Sequence, residues 1–214
     1  MKPQGFWDSL SGMNSFYTRT QWIEENFQEI TPSSEVVLDL KYSTADNFMN
    51  KDVYDGFHRC FMAPLAAEMF LKACEVLRKE QPHLQFRIWD ALRPRSIQAQ
   101  FFDFLAGTPF QSYVANPFPG SLHNFGMAVD LTLQTKEGEL LDMGTYFDDF
   151  RDIAQPKLEN HFLKTGELTQ AQLENRLLLR RLLENQGFKV LEHEWWHFNA
   201  LPKDLVYGKH PILE

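Results

Sequence analysis

Cysteines, long apolar runs and basic clusters are all scarce in this chain of 214 residues. It has two cysteines, which is too few for a small disulfide-rich scaffold. No run of about 18 apolar residues occurs, so no transmembrane helix is expected. The opening stretch MKPQGFWDSLSGMNSF has one Lys and no continuous apolar segment, which is not typical of a secretory signal. We therefore expect a cytoplasmic protein that makes no membrane contact.

The two cysteines, Cys60 and Cys74, are expected to be free thiols. Cys74 lies well inside a predicted helix that begins near Ala63. At about 1.5 Å of rise per residue, it stands roughly 16 Å from the start of that helix. A disulfide needs Cα atoms within about 7 Å of each other. Unpaired thiols agree with a reducing compartment.

The charge balance excludes a further class of partner. The formal net charge is −8, whereas proteins that bind nucleic acids usually carry a basic stripe. The basic residues Arg176, Arg180 and Arg181 do cluster, but they lie in a Leu-rich helical stretch, and we interpret them as a solvated helix face. The expected partner is a small molecule. The sequence leaves the oligomeric state open.

The chain contains enough apolar material for one domain. It is 43% hydrophobic and 23% charged, with 19 Phe and five Trp, which is ordinary for a globular protein of this length. Predicted strands and helices follow one another without regular alternation. This order favours an α+β fold with a central antiparallel sheet flanked by helices.

Apolar periodicity and the positions of Pro, Gly and capping residues predict the individual elements. Helices are predicted over residues 15–27, 62–80, 95–106 and 169–186. The last of these opens with a capping-box pattern of Thr169 and Gln172. Strands are predicted over residues 35–43, 84–90, 127–133 and 188–198.

The stretch SLHNFGMAVD, residues 121–130, contains two candidate metal ligands. His123 follows a loop rich in Pro and Gly and precedes a strand. Asp130 lies inside that strand, on the face opposite Met127 and Val129. Since carboxylates are seldom buried without a partner, Asp130 beside a loop His is a candidate pair for a divalent metal. A lone loop His is more often a surface residue, so two residues alone do not decide the question.

A third candidate ligand lies in HEWWH, residues 193–197, which formally matches the zincin motif H-E-x-x-H. That motif requires a helix, whereas Trp-Trp-His-Phe favours a strand. Too little chain follows to supply a further zincin ligand. We therefore retain Glu194 and His197 and drop His193. His197 would complete a set of three ligands, which leaves the open position of a catalytic zinc site.

Glu194 and His197 can serve one metal only if the strand is irregular. Residues three apart point to opposite faces of a regular strand. We therefore predict that the strand ends, twists or bulges between them.

Taken together, S-x-H-x-x-G-x-A-x-D and E-x-W-H resemble the D-alanyl-D-alanine dipeptidases of the VanX type, within the wider group of zinc D,D-peptidases. The likeness extends to LDLKYSTADNF, WDALRP, MGTYFDDF and ENRLLLRRLLENQGF. It runs in chain order from about residue 35 to residue 200. It implies a hedgehog-like zinc D,D-peptidase fold and one Zn²⁺ per chain.

The resemblance implies a role for each matched residue. It assigns Zn²⁺ to His123, Asp130 and His197, the general base to Glu194, and stabilisation of the oxyanion to Arg93. Zinc lowers the pKa of a bound water to about 7. The Glu would take the proton of this water and pass it to the leaving amine.

The resemblance also implies how a dipeptide is held. Asp148 would bind its amino terminus, and Ser121 and Tyr42 would lie near its carboxylate. One departure is that Gly120 precedes Ser121, where many relatives have Ser-Ser. One hydroxyl contact to the substrate would then be absent.

Three more residues are assigned from their chemistry. Trp195 and Trp196 are expected to wall the pocket, with core packing as the alternative. Asp90 is expected to orient Arg93 rather than to touch the substrate.

These assignments predict a D-Ala-D-Ala dipeptidase domain over residues 35–214, with residues 1–34 as a helical extension packed on it. Two other functions stay open. One is a zinc D,D-carboxypeptidase that trims peptidoglycan stem peptides, which would require export. The other is a zinc-binding module without catalysis, which the presence of Glu194 disfavours.

Overall fold

Helices and strands fill much of the chain from residue 15 to residue 214, the part described by the computed structural model. The helices are α1 (Ser15–Thr18), α2 (Thr20–Asn26), α3 (Pro64–Glu80), α4 (Arg95–Phe104), α5 (Glu159–Thr165), α6 (Gln170–Glu184) and α7 (Lys203–Val206). The strands are β1 (Gln28–Ile30), β2 (Val36–Leu38), β3 (Cys60–Met62), β4 (Leu84–Asp90), β5 (Ala128–Thr135), β6 (Lys189–Leu191) and β7 (Glu194–Asn199).

The central sheet has the strand order β2-β4-β5-β7-β6, and a small second sheet pairs β1 with β3. The expected α+β fold is confirmed. The central sheet is antiparallel from β4 to β6, as expected, but β2 lies parallel to β4. The chain between these two strands passes through α3, which is the kind of crossover that a parallel pair requires.

Strand β4 coincides with its prediction, whereas residues 188–198 do not form the single strand expected there. They form a hairpin of β6 and β7, which turns at Glu192 and His193. No Gly, Pro or Asn marks this turn, so the sequence carried no signal for it. The predicted irregularity between Glu194 and His197 is present. Strand β7 begins at Glu194, and its register with β6 shifts, because Val190 lies opposite Phe198 whereas the next residue, Leu191, lies opposite Glu194.

The longest helix, α3, begins with Pro64 in its first turn, where the absent N–H costs no hydrogen bond. Its buried face includes Met69, Phe70 and Leu77. Through this face α3 contacts β4 and α6. The helix thereby covers the sheet and fixes α6 beside it.

Helix α6 opens with the predicted capping box, since Thr169 Oγ1 accepts a hydrogen bond from Gln172 N. The expectation of a solvated basic face on this helix is wrong for Arg176, which is 1% exposed. Its guanidinium faces inward and donates hydrogen bonds to backbone carbonyl groups of a loop. A long side chain with five donors can be buried when such acceptors are present.

The expected extension, residues 1–34, lies partly outside the described residues. In its described part, Phe16, Ile23 and Phe27 are buried in the same hydrophobic core as the rest of the chain. Strand β1 pairs with β3. This part is therefore joined to the domain by both packing and hydrogen bonds.

Two further expectations concern the thiols and the membrane. Cys60 and Cys74 are both free and buried. Within residues 15–214, none of the helices is both long enough and apolar enough to cross a bilayer.

Candidate metal centre and active site

Strand register brings two of the expected metal ligands together. Asp130 on β5 lies directly opposite His197 on β7. The β4–β5 register shifts between Ile88 and Asp90, so that Asp90 also faces Asp130. Such irregularities re-aim side chains at the ends of strands. As a result, the two carboxylates and the imidazole meet at one end of the sheet.

His123 is held by a short, doubly capped turn. It lies in the 3-10 turn Leu122–Phe125, where Ser121 Oγ accepts from His123 N and Asn124 Oδ1 accepts from Ser121 N at 2.7 Å. The turn ends at Gly126, whose φ is 62°. A Cβ at this position would lie 2.7 Å from Ala63 N. The clash with the Ala63 backbone requires Gly at this position, where it closes the turn that carries His123.

The ligand atoms of His123, Asp130 and His197 all lie within 4.8 Å of one another, and all three residues are buried. His123 Nε2 is 3.2 Å from His197 Nδ1 and 3.3 Å from an Asp130 carboxylate oxygen. His197 Nδ1 is 2.9 Å from the other carboxylate oxygen. Burial alone would raise the pKa of Asp130, but the pKa lies below its usual value when both imidazoles are protonated.

The hydrogen bonds on the outer side of each ring suit a metal. His123 Nδ1 donates to Ala91 O at 2.6 Å, and His197 Nε2 donates to Asn199 Oδ1 at 2.8 Å. With the protons on these outer nitrogens, the inner nitrogens direct lone pairs at each other and at a carboxylate. Such groups repel one another unless a cation lies between them. Two imidazoles and one carboxylate are a donor set that fits a divalent transition metal.

Glu194 lies beside this cluster, at the first position of β7. One of its carboxylate oxygens is 3.8 Å from His197 Nδ1, and its side chain is 17% exposed. Burial, together with the negative charges of Asp130 and Asp148, raises the pKa of Glu194 to about 7. A carboxyl group with this pKa can accept and release a proton near neutral pH.

Arg93 is a buried cation with a fixed orientation. Its Nε and one Nη donate to Asp90 Oδ2 at 2.8 and 2.6 Å, and its other Nη donates to Gln98 Oε1 at 2.8 Å. Its guanidinium also lies over the rings of Tyr42 and Phe101. Asp90 in turn accepts a hydrogen bond from the Tyr54 hydroxyl. The guanidinium is 3.6 Å from Asp130, next to the cluster of candidate metal ligands.

A cavity of about 100 Å³ joins these groups to the substrate-binding candidates. The residues that line it include Tyr42, Ser121, Asp148 and Trp196. The Tyr42 hydroxyl donates to Asp148 at 2.9 Å. Burial, with repulsion from Asp130, raises the pKa of Asp148 to about 8. The resemblance implied that Tyr42 lies near a carboxylate of the substrate, whereas its hydroxyl is bonded to the residue expected to hold the amino terminus.

Comparison with known proteins identifies the family of this chain. The sequence model of the family described as D-Ala-D-Ala dipeptidase matches residues 26–212. The chain belongs to the D-Ala-D-Ala dipeptidase family. It is 34% identical over 179 residues to the D-alanyl-D-alanine dipeptidase of Escherichia coli K12, with 84% of each chain covered. It is 32% identical over 178 residues to that of Enterococcus faecium, with 75% of this chain and 83% of the relative covered.

Membership of the D-Ala-D-Ala dipeptidase family makes the protein a peptidase, and its possible metal site is formed by His123, Asp130 and His197. The match to the family begins at residue 26 and includes β1, ahead of the boundary expected at residue 35.

Trp196 lines the cavity, whereas Trp195 is not among its lining residues. Trp195 is packed in the hydrophobic core, the alternative kept for it, and donates from Nε1 to Thr145 Oγ1 at 2.7 Å. Neighbouring residues on a strand face opposite sides, so only one of the pair can form a wall.

Sequence reasoning missed several residues that support the site. Gln98 and Tyr54 hold the Arg93–Asp90 pair, and Asn199 orients the ring of His197. Gln98 lies five residues after Arg93, in the first turn of α4, so its proximity was the one signal available. Tyr54 and Asn199 carry no local pattern that connects them to the site.

Proposed function

We propose that this protein hydrolyses the dipeptide D-Ala-D-Ala to two D-alanines and that zinc is the metal held by His123, Asp130 and His197. The main support is the convergence of these ligand atoms within 4.8 Å beside a carboxyl group and a buried guanidinium. Family membership supports the substrate, because the relatives carry the name D-alanyl-D-alanine dipeptidase. When bound, zinc would lower the pKa of a coordinated water and polarise the amide carbonyl.

Glu194 is the proposed general base. In the metal-free protein the pKa of Glu194 is raised to about 7. A nearby dication would lower this pKa and favour the ionised form, which would take a proton from the attacking water and then give it to the leaving amine.

Arg93 is the proposed stabiliser of the oxyanion. The carbonyl oxygen of the substrate gains negative charge in the transition state, and a fixed cation next to it lowers the barrier. Asp90 and Gln98 hold the guanidinium by three hydrogen bonds. It therefore needs little reorganisation when that charge develops.

The two ends of the substrate would be recognised by groups at different places in the cavity. Asp148 would pair with the ammonium group, whose charge favours the ionised carboxylate. The Tyr42 hydroxyl, bonded to Asp148, would keep that carboxylate in place. Ser121 lines the cavity and offers a hydroxyl to the substrate carboxylate. A volume of about 100 Å³ favours a small ligand over a long peptide.

Hydrolysis tests the proposal directly. Metal-free protein would be loaded with one equivalent of zinc and incubated with D-Ala-D-Ala, and released D-alanine would be measured by amino-acid analysis. A pentapeptide stem ending in D-Ala-D-Ala would be assayed in parallel. We expect zinc-dependent release from the dipeptide and none from the stem.

The matched control is Glu194→Gln, which should bind zinc, measured by elemental analysis, but lack turnover.

Two outcomes for the wild-type protein would support the other functions. Release of D-alanine from the stem at a rate comparable to that from the dipeptide would identify a carboxypeptidase. Binding of zinc without hydrolysis of either substrate would identify a non-catalytic module.

A further inference from the structure

Arg176 is a buried cation that has no part in the proposed reaction. It lies on α6, and its side chain has no solvent exposure. Its Nε donates to Met143 O at 2.7 Å, and its Nη1 donates to Ile153 O at 3.0 Å. A planar guanidinium offers donors in fixed directions, so these two bonds set the distance between the two carbonyl groups.

The two acceptors bracket the loop that carries Asp148. We call residues 143–153 the amine loop. Its residues 143–151 form no helix or strand, and Asp148 within it has a φ of 57°. Positive φ is uncommon for a non-Gly residue, although Asp tolerates it better than most. Because the loop has no regular secondary structure of its own, the side-chain bonds at its ends help to hold its conformation.

Neighbouring side chains reinforce the first of these anchors. On α6, Gln172 donates to the Asp142 carboxylate and Asn175 donates to Asp142 O, both at 2.9 Å. Trp195 Nε1 donates to Thr145 Oγ1 at 2.7 Å. Arg176 differs from these residues because it is bonded to both ends of the amine loop.

The charge environment of Arg176 argues against a role as a simple ion pair. Glu159 is 3.5 Å from Arg176 but 2.9 Å from Arg180, which therefore takes the larger share of this carboxylate. Within residues 15–214, Arg176 Nη2 has no hydrogen-bond partner. Burial lowers the pKa of Arg176. Keeping such a cation buried is costly, and its clearest contribution is the pair of carbonyl bonds.

We infer that Arg176 is a positioning residue that holds the amine loop so that Asp148 meets the ammonium group of the substrate, and that it thereby sets the preference for a free dipeptide. The inference rests on the proposed function, since it takes the role of Asp148 from there. Arg176 does not touch the substrate and acts only through Asp148.

A double-mutant cycle tests this coupling. Arg176→Lys keeps a buried cation but cannot reach both carbonyl groups in the same geometry. With zinc-loaded enzyme, we expect it to raise KM for D-Ala-D-Ala about tenfold and to change kcat less than about twofold. It should also reduce the discrimination against N-acetyl-D-Ala-D-Ala. In an Asp148→Asn background, Arg176→Lys should have no further effect on KM or kcat.

The matched control is Arg180→Lys. Arg180 lies on the same helix and shares Glu159, and within residues 15–214 its hydrogen bonds go to Glu159 rather than to the amine loop. The KM of the Arg180→Lys variant for D-Ala-D-Ala should stay within about twofold of wild type. If Arg176→Lys lowers activity equally in the wild-type and Asp148→Asn backgrounds, or no more than Arg180→Lys does, then Arg176 is merely structural and the inference is overturned.

A second variant covers the case in which Arg176→Lys does not fold. Arg176→Met keeps a long side chain that favours helix but removes the buried charge and both bonds to Met143 O and Ile153 O. It should raise KM for D-Ala-D-Ala about tenfold in the wild type and not at all with Asp148→Asn. An unchanged KM would overturn the inference.

The same data separate this inference from the proposed function. If wild type does not hydrolyse D-Ala-D-Ala, the proposed function fails. If wild type hydrolyses the dipeptide but Asp148→Asn leaves KM unchanged, the role of Asp148 fails, and the inference about Arg176 fails with it. If Asp148→Asn raises KM but shows no coupling with Arg176→Lys, only the role of Arg176 fails.

Discussion

The candidate metal ligands and the amine loop face the same cavity, but different kinds of interaction hold them in place. Asp130 and His197 are opposed residues of adjacent strands, so the backbone of the sheet sets their separation. Asp148 lies in an irregular loop whose ends are bonded by side chains of α6. The fold itself thus sets the positions of Asp130 and His197. The position of Asp148 depends instead on bonds from a few replaceable side chains.

Under the proposed function, this difference separates chemistry from selectivity. Changes on the sheet side should act on metal binding and kcat, and changes on the loop side should act on KM. Loops tolerate substitution more readily than strands do. The preference for one dipeptide over another can therefore change without loss of the catalytic centre.

The largest effect is expected for His123→Ala. It removes one of the three proposed ligands, so activity should fall to the level of the metal-free protein, and zinc content by elemental analysis should drop well below one per chain. In wild type, a free metal concentration about 1,000-fold above Kd should stabilise the fold by about 4 kcal/mol. Thermal melts of the variant should lack this increase. A variant that keeps both zinc and turnover would remove His123 from the site.

The second effect is expected for Glu194→Gln, which keeps the shape of the side chain but not its basicity. Since proton transfer by a positioned base contributes about 10²- to 10⁴-fold, kcat should fall by roughly 10³-fold. Zinc affinity, measured by competition with a chelator, should stay close to that of wild type. A kcat within tenfold of wild type would require another base.

Arg93→Lys should produce the third effect. A lysine keeps the charge but loses the bonds to both Asp90 and Gln98, so kcat should fall by roughly 10²-fold with little change in KM. Steady-state kinetics would measure both parameters. An increase confined to KM would instead place Arg93 at an end of the substrate.

Asp148→Asn should act on the other side of the comparison. Loss of a charged contact to the ammonium group should raise KM about 30-fold. Burial raises the pKa of Asp148 to about 8, above its unfolded value. The folded metal-free protein therefore binds more protons than the unfolded one between about pH 4 and pH 8, and Asp148 lowers stability as pH rises through this range.

Denaturant unfolding of the metal-free proteins at several pH values checks the sign of this effect. The free energy of unfolding of Asp148→Asn, relative to wild type, should increase from pH 4 to pH 8. A difference that does not vary with pH would show that Asp148 is already ionised at the lower end of this range.

The smallest effect is expected for Tyr42→Phe. It removes the hydroxyl bonded to Asp148 and keeps the aromatic ring beside Arg93. The loss of one hydrogen bond should raise KM about fivefold and leave zinc content unchanged. A fall in kcat without a change in KM would place the hydroxyl at the reacting bond instead.

Local sequence signals predicted much of the fold and the three candidate metal ligands. The apolar period of α3, the composition of β4 and the capping box of Thr169 are properties of single segments. The ligands were predicted because their residue types and spacing resemble a family. The likeness of the fold to that of hedgehog proteins and the choice of zinc as the metal both rest on that resemblance.

Long-range partners could not be predicted in this way. The parallel pairing of β2 depends on which strand the chain meets after a crossover. The burial of Arg176 depends on carbonyl groups 33 and 23 residues away. A basic residue in a Leu-rich helix has the same local pattern whether it faces solvent or a loop. The side of β7 on which Trp195 lies likewise follows from where the hairpin turns.

The buried thiols have a practical consequence. Neither Cys60 nor Cys74 is accessible in the folded chain, and burial raises the pKa of the Cys74 thiol to about 12. Since the thiolate is the reactive form, an alkylating reagent should modify them only in molecules that have opened. The labelling rate, read by mass spectrometry, therefore counts opening events in the native ensemble and requires neither turnover nor a bound ion.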